Sequence, residues 1–190
     1  MIYRFMYAAY TKDPESMRLL PDIPHYAALA FDGERAFLYI ESQNMEVAPE
    51  TMVKGNFQLS PGGKIWERAV EIFHYSVPMN PQQWERKCEK TPYFQVNRLK
   101  PEKISSYIYY HYQYQEEYPG DGDRYGVIYL LGDQLIFYLE NPTEKETEKY
   151  KGLLDTKHSP IDTWQEVMTE HFAEQWRPIP FLKASNYVNF

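Results

Sequence analysis

The chain has 190 residues and a formal net charge of −7, from 20 lysines and arginines against 27 aspartates and glutamates. This length fits one sizeable domain or two small ones. The negative balance argues against a broad phosphate-binding surface, so we expect no general binding of nucleic acids. The single cysteine excludes an internal disulfide and a multi-cysteine zinc site. We expect neither a metal site nor a cofactor.

The hydropathy pattern gives no indication of a membrane segment. No apolar run approaches the length of about 18 residues that a spanning helix needs. The first residues reach Lys12, Asp13 and Glu15 without the apolar core of a signal peptide. These features predict a soluble, cytoplasmic protein that does not contact membranes.

Two stretches of the sequence resemble each other and predict an internal repeat. The pattern of residues 26–41 recurs about 99 residues later, at 125–140. The matched pairs are Tyr26 with Tyr125, Gly33 with Gly132, Tyr39 with Tyr138 and Glu41 with Glu140. Outside this block the matches are Tyr3 and Tyr10 with Tyr107 and Tyr114, and Trp66 with Trp164. Chance matching in a tyrosine-rich chain is the alternative explanation, and the matches of other residue types favour duplication.

Each half of the chain has the pattern of three strands followed by a helix. Alternating, tyrosine-rich residues at 2–10 and 104–115 predict the first strand of each unit. A hairpin that turns at Gly33 or Gly132 supplies the next two strands. Apolar residues at helical spacing in 65–73 and 161–172 predict the closing helices. We therefore predict an α+β fold, in which a strand-strand-strand-helix unit is duplicated in tandem and packed as one pseudo-twofold domain.

This repeat sets the expected domain organisation. Residues 1–80 form the first repeat unit and residues 104–177 form the second. Residues 81–103 between them carry an excess of lysine and arginine, which predicts a basic linker. Residues 178–190 form an apolar C-terminal tail, which we expect to dock on the domain or to touch a partner.

No established catalytic motif is present, because the chain lacks GxGxxG, Walker A, HExxH, GxSxG and CxxC patterns. No two of the five histidines lie at helical i, i+4 spacing, so no local metal pair is predicted. Cys88 lies without a nearby histidine and has no counterpart in the second unit, so we interpret it as incidental. No catalytic residue is assigned with this evidence.

His111 is the strongest single candidate for a general base or a ligand contact. It aligns with Tyr7 of the first unit, so a titratable group breaks the repeat at that position. On the predicted strand, Tyr107 and Tyr109 share its face. A histidine hydrogen-bonded among tyrosines, without function, is the alternative. The full set of candidate binding residues is His111, Tyr109, Tyr107, Tyr7, Glu140 and His74.

The primary functional prediction is a small acidic binding protein. It would act through a tyrosine-rich surface on a protein partner that has a basic surface, as an inhibitor or immunity protein does, and this interpretation is favoured over an enzyme. The alternative is a small-molecule enzyme or sensor, with its site in the groove between the two repeats. A third possibility is a structural subunit whose tail inserts into a neighbour.

Overall fold

The computed structural model describes residues 1–21, 23–146 and 151–185, and within them the fold is mixed α+β with mostly β-sheet. The strands are β1 (Tyr3–Thr11), β2 (Arg18–Leu19), β3 (Tyr26–Asp32), β4 (Arg35–Ser42), β5 (Val53–Lys54), β6 (Phe57–Gln58), β7 (Trp66–Arg68), β8 (Val70–His74), β9 (Thr91–Arg98), β10 (Val127–Leu131), β11 (Gln134–Asn141), β12 (Arg177–Ile179) and β13 (Phe181–Ala184). The α-helices in this part of the chain are α1 (Pro81–Trp84), α2 (Ile104–Glu117) and α3 (Trp164–Thr169).

The chain divides into two units that differ from the predicted boundaries. The first unit comprises the described residues of Met1–Ala69, Pro78–Phe94 and Ile179–Phe190, and the second comprises those of Val70–Val77 and Gln95–Pro178. The predicted linker, 81–103, contains α1 and β9 and therefore contributes regular structure. The described part of the predicted tail includes β13, which pairs with β3. Residues 186–190 of that tail lie outside the described residues.

The first unit contains a sheet of order β13-β3-β4-β1-β6, and β7 also pairs with β1. The β3–β4 hairpin turns at Gly33, whose φ of +54° is a conformation that glycine adopts without strain. Strands β3 and β4 are almost completely buried over their middle residues. Their side chains and those of β1 form the core of this unit, as with Leu29, Leu38 and Phe5.

The second sheet has the order β12-β9-β11-β10-β8, and its β8, β10 and β11 lie wholly in the second unit. The β10–β11 hairpin turns at Gly132, with a φ of +62°. Ile128 of β10 lies opposite Phe137 of β11 and Phe73 of β8, so these three side chains form one row across the sheet. Helix α2 packs against β8.

The predicted first strand of the second unit is wrong, because residues 104–115 form helix α2. A 3₁₀ turn at Pro101–Lys103 leads directly into this helix. Alternating tyrosines fit a strand, but in this segment Tyr107, His111 and Tyr114 also recur at i, i+4 and i+7, which is the spacing of one helical face.

The predicted closing helix of the first unit is also wrong, because residues 65–73 form β7 and β8. The Ser60–Lys64 segment closes a turn, in which Ser60 N–H donates to Lys64 O at 2.7 Å, and it does not begin a helix. The predicted strand-strand-strand-helix order therefore fails in both units, whereas both hairpins are present. In the second unit a 3₁₀ turn and α3 occupy part of the helix predicted at 161–172.

The matched tyrosine and glutamate of each hairpin make the same contact. The Tyr39 hydroxyl donates to Glu41 Oε1 at 2.8 Å, and the Tyr138 hydroxyl donates to Glu140 Oε1 at 2.7 Å. Both carboxylates are fully buried, and Arg86 donates two further hydrogen bonds to Glu41. Buried carboxylates need such partners, so these glutamates have a structural role in the hairpins.

None of the helices in the described ranges is both long and apolar enough to cross a lipid bilayer.

Candidate functional site

A cavity of about 380 Å³ lies within the second unit. All fourteen residues that line it belong to this unit, and eight of them are phenylalanine, tyrosine or tryptophan. The alternative prediction placed a small-molecule site in a groove between repeats, whereas this cavity is built from one unit alone. Three structural layers enclose it: helix α2, the sheet, and the segment that contains α3.

Helix α2 contributes the first wall of the cavity. Tyr107, His111 and Tyr114 line the cavity from successive turns of the same helical face. Tyr107 and His111 are buried, and Tyr114 is partly buried. The helical periodicity that the sequence reading overlooked is therefore what directs these three side chains to one space.

The sheet contributes the second wall through the row of Phe73, Ile128 and Phe137. These residues come from three antiparallel strands, and their register places them side by side on one face. Gln95 of β9 adds an amide to the same lining. The wall is otherwise apolar, which favours burial of apolar ligand surface.

The segment around α3 contributes the third wall, with Trp164, Met168, Phe172 and Trp176. The Trp164 ring lies 5.0 Å from the His111 ring, centre to centre, in an edge-to-face arrangement. The Phe172 and Trp176 rings lie 5.8 Å apart. Edge-to-face packing of this kind is a favourable arrangement of aromatic rings.

Glu117, the last residue of α2, holds the loop that leads into the α3 segment. Its carboxylate accepts hydrogen bonds from the Thr156 hydroxyl, from the His158 and Ser159 N–H groups, and from the Ser159 hydroxyl. Burial alone would raise the pKa of Glu117, but these hydrogen bonds outweigh it and hold the pKa well below its usual range. The ionised carboxylate thus fixes the start of the third wall.

A glycine-containing loop packs tightly against Tyr75, another lining residue. A Cβ atom at Gly122 would lie 2.1 Å from Cδ1 of the Tyr75 ring, and one at Gly126 would lie 2.8 Å from Cδ2. Only glycine permits this approach of backbone to ring. Burial, with a smaller contribution from Asp121 and Asp123, raises the pKa of the Tyr75 hydroxyl, so it stays protonated.

His111 is the only histidine among the described residues that line this cavity. Its Nδ1 lies 3.0 Å from the Tyr107 carbonyl oxygen, and because a carbonyl only accepts, Nδ1 carries the proton and donates. Nε2 makes no hydrogen bond with a described residue, and the ring is part of the cavity lining. The ring is packed among Phe73, Tyr107 and Trp164.

Burial is the main cause that lowers the pKa of His111 to about 4; the hydrogen bond to Tyr107 opposes it, and the nearby His171 makes a smaller lowering contribution. At neutral pH the ring is therefore uncharged, with a lone pair on Nε2. Burial also raises the pKa of the Tyr107 hydroxyl above its usual range. The cavity thus contains a neutral acceptor, His111 Nε2, in a mainly aromatic surrounding.

The other predicted site residues lie away from this cavity. Tyr109 is 60% exposed on the opposite side of α2, and Tyr7 belongs to the core of the first unit. Glu140 is buried against Tyr138. His74 lies on β8, where its Nδ1 is 2.8 Å from Glu71 Oε1. Of the six candidates, only Tyr107 and His111 line the cavity together.

The sequence reading missed most of the cavity lining. Phe73, Trp164 and Met168 were recognised as apolar positions at helical spacing and were assigned to packing alone. Their spacing marks a buried face but does not distinguish a filled core from a lined cavity. Within the described ranges, no group of three or more His, Cys, Asp or Glu side chains is arranged to hold a metal ion.

Comparison with known proteins gives no family. No family model matches the chain, and no curated protein matches it. Two solved structures align with nearly all of it. An anthrone oxidase-like protein is 9% identical, with 97% of this chain and 96% of the other covered and a TM-score of 0.40. A provisionally assigned monooxygenase from Fusobacterium nucleatum is 11% identical, with 97% and 94% covered and a TM-score of 0.40.

These neighbours contradict the primary functional prediction, which was an inhibitor-like protein that masks a basic partner. One is named as an anthrone oxidase-like protein and the other as a monooxygenase, and neither is named as an inhibitor or immunity protein. At this TM-score and identity, neither activity is transferred to this chain. The argument for a small-molecule site rests on the cavity itself.

Proposed function

We propose that the second unit binds a small, flat, aromatic molecule that carries a hydroxyl group, as a sensor or as the substrate pocket of an enzyme. The observation that carries this proposal is the pairing of a mainly aromatic cavity with the neutral His111 ring in its lining, whose Nε2 makes no hydrogen bond with a described residue. Pockets of this kind, mostly apolar with a few placed polar groups, are typical of small-molecule sites.

The size and lining of the cavity support an aromatic ligand of two or three rings. The volume of about 380 Å³ lies in the lower part of the range for small-molecule pockets, about 300–1,000 Å³. Tyr114, Trp164 and Phe73 present ring faces and edges to this space. Aromatic ligands gain from such contacts beyond the area that they bury.

The fixed tautomer of His111 supports a ligand hydroxyl. Because Nδ1–H is committed to the Tyr107 carbonyl, Nε2 can only accept while the ring is neutral. A bound ligand that lacks a donor would cover Nε2 and leave it unpaired, which costs about 1–3 kcal/mol. The site would therefore discriminate against such an analogue.

The low pKa of His111 defines its role within this proposal. A group with a pKa of about 4 is a weak base at neutral pH, so its contribution is to accept a hydrogen bond and orient the ligand. A phenol hydroxyl, with an ordinary pKa of about 10, stays protonated beside such a weak base and is a stronger hydrogen-bond donor than an aliphatic hydroxyl. We therefore infer a phenolic ligand rather than an aliphatic alcohol.

A pair of matched ligands tests this proposal. Equilibrium dialysis would give the Kd values of 2-naphthol and naphthalene for the wild-type chain and for His111→Phe. The Kd of naphthalene divided by that of 2-naphthol measures the preference for the hydroxyl. We expect this ratio to be about tenfold smaller in the variant, in line with the loss of one hydrogen bond. His74→Phe, outside the cavity, is the control and should keep the wild-type preference. No binding of either compound, or an unchanged preference in His111→Phe, would overturn the proposal.

We also propose that the two hairpins derive from one duplicated unit, with a different correspondence from the one predicted. Both sheets share one order, since β13-β3-β4-β1 corresponds to β8-β10-β11-β9. The fourth strand of each series also has a short neighbour on its other side: β7 pairs with β1, and β12 pairs with β9. In this correspondence β1 is equivalent to β9 and not to α2. The predicted matches of Tyr3 and Tyr10 with two tyrosines of α2 therefore no longer hold.

The shared tyrosine–glutamate contact offers a test of that correspondence. Tyr39→Phe and Tyr138→Phe each remove the same hydrogen bond to a buried carboxylate. Urea unfolding should give similar losses of about 2 kcal/mol for the two variants. A loss in only one of them would contradict the equivalence of the hairpins.

A further inference from the structure

A second cavity, of about 370 Å³, lies in the second unit and shares no lining residue with the aromatic cavity. It is bordered by α2 and by the segment around α3. Lys103, Ser106, Thr163, Glu166, Glu170 and His171 are its polar lining residues. Most of its described lining residues are therefore polar or charged, unlike those of the first cavity.

Ser106 and His171 make a direct contact at this cavity. Ser106 Oγ lies 2.9 Å from His171 Nε2. On the other side of the ring, His171 Nδ1 lies 2.7 Å from the Val167 carbonyl oxygen. His171 is buried and Ser106 is partly exposed, so the serine is the member that a bound molecule can reach.

The hydrogen bond to Val167 fixes the proton arrangement of this pair. Because the carbonyl only accepts, Nδ1 carries a proton, which leaves Nε2 as the ring atom that can accept from the Ser106 hydroxyl. Ser106 Oγ also lies 3.0 Å from the Lys103 carbonyl oxygen, so its O–H has two acceptors within reach. Of the two, only the imidazole can take up the proton.

We propose that Ser106 is a nucleophile and His171 its general base, in a second site that hydrolyses small carboxylic esters. A nucleophile and base within hydrogen-bond reach, with the base oriented by a third group, is the arrangement that covalent acyl transfer uses. Here Val167 O provides the orientation through Nδ1. This inference is independent of the aromatic cavity and of its ligand.

The chemical steps balance within the site and water. Ser106 Oγ forms a bond to the ester carbonyl carbon while its proton passes to His171 Nε2. The carbon–oxygen bond to the leaving group then breaks, and the leaving alkoxide takes the proton from Nε2. Water attacks the acyl-serine by the same route, gives its proton to Nε2, and releases the carboxylic acid as Ser106 recovers its proton.

The charges around the cavity define the substrate class. Lys103 Nζ lies 3.8 Å from Glu170 Oε2, and Glu166 adds another carboxylate to the lining. Negatively charged substrates would face this acidic balance, so the geometry favours a neutral ester. The cavity volume limits it to a small acyl group and a leaving group of about one ring.

Covalent labelling tests the nucleophile directly. The intact chain would be treated with a fluorophosphonate probe, and the modified residue would be identified by peptide mass spectrometry. We expect modification at Ser106 in the wild-type chain and in Ser105→Ala, and none at residue 106 in Ser106→Ala. Ser105 is an exposed serine next in sequence, so it serves as the matched control. Absence of labelling at Ser106 would overturn the proposal.

Ester hydrolysis tests the base. With p-nitrophenyl acetate as the probe, Ser106→Ala and His171→Gln should each lower the rate above background by about 100-fold or more, as loss of general-base catalysis does. Ser105→Ala should keep the wild-type rate. Circular dichroism would check that His171→Gln is folded, and if it is not, the comparison of the two serine variants decides alone. Equal rates for Ser106→Ala and Ser105→Ala would contradict the assignment.

Discussion

The pH dependence of stability depends on His111, because burial lowers its pKa from an ordinary value of 6.5 to about 4. A group whose pKa is lower in the folded state binds its proton first in the unfolded state. Above about pH 6.5 this group therefore has no effect on the free energy of unfolding. As the pH falls from there towards 4, the free energy of unfolding decreases. Below the folded-state pKa the loss stays constant.

The size of this effect follows from the shift. A difference of about 2.5 pKa units, at about 1.36 kcal/mol each, gives a total loss of about 3 kcal/mol. At about pH 4.5 most of it, about 2.5 kcal/mol, should already be lost. This is a large fraction of the free energy of unfolding of a typical domain, about 5–15 kcal/mol.

His111→Phe is the variant that isolates this contribution. It keeps a ring against Phe73 and Trp164 but carries no titratable proton. Urea unfolding of both chains at several values between about pH 7.5 and 4.5 would give two stability profiles. The wild-type profile should fall by about 2.5 kcal/mol more than that of the variant. Parallel profiles would refute the reasoning, because every other titratable group is common to both chains.

Two further variants test the walls of the aromatic cavity. Glu117→Gln removes an ionised carboxylate that accepts hydrogen bonds from five donor groups, so it should lower the free energy of unfolding by about 2 kcal/mol at neutral pH. Because the pKa of Glu117 is held well below its usual range, the difference from wild type should begin to shrink only below about pH 4 and should persist until the pH approaches that lowered pKa, whereas the exposed Glu102→Gln should show no effect at any pH. Gly122→Ala should lower Tm and weaken 2-naphthol binding, since its Cβ would overlap Tyr75, while Gly62→Ala, whose Cβ has no neighbour closer than 3.6 Å, should do neither. Unchanged stability in Glu117→Gln or Gly122→Ala would contradict the corresponding contact.

The hairpins were predictable from sequence because their signals are local. Strand residues with continuous apolar character flank a glycine turn at Gly33 and at Gly132, and the structure has both turns with positive φ. The tyrosines and glutamates of the two hairpins were matched in sequence, but their contact within each hairpin was not predicted. These features need no knowledge of distant segments.

The helix α2 and the strand β8 were mispredicted for different physical reasons. In α2 the tyrosines satisfy both a two-residue and a helical period, and only the length of the segment, 14 residues against about 5–6 for a typical strand, favours the helix. Strand β8 is specified by its pairing with β10, more than 50 residues away, and its Val70 is 65% exposed. Such long-range pairing overrides local propensity.

The candidate site was only partly accessible to sequence reasoning. His111 was selected because it aligned with Tyr7 of the first unit and differed from it in type. That alignment assumed a strand at 104–115, where the structure has helix α2. It lines the cavity for another reason, namely that it shares a helical face with Tyr107 and Tyr114. The opposing walls come from β8, from the β10–β11 hairpin and from the α3 segment, and only the tertiary fold brings these together.

The state of His111 with and without ligand tests the central claim most directly. Long-range ¹H–¹⁵N NMR of the histidine side chains would be recorded near neutral pH for the free chain, then with 2-naphthol and with naphthalene. The account predicts a neutral ring with the proton on Nδ1, and an ¹⁵N shift of Nε2 that 2-naphthol causes and naphthalene does not. A proton on Nε2 in the free chain, or binding of 2-naphthol that leaves the His111 resonances unchanged, would contradict it.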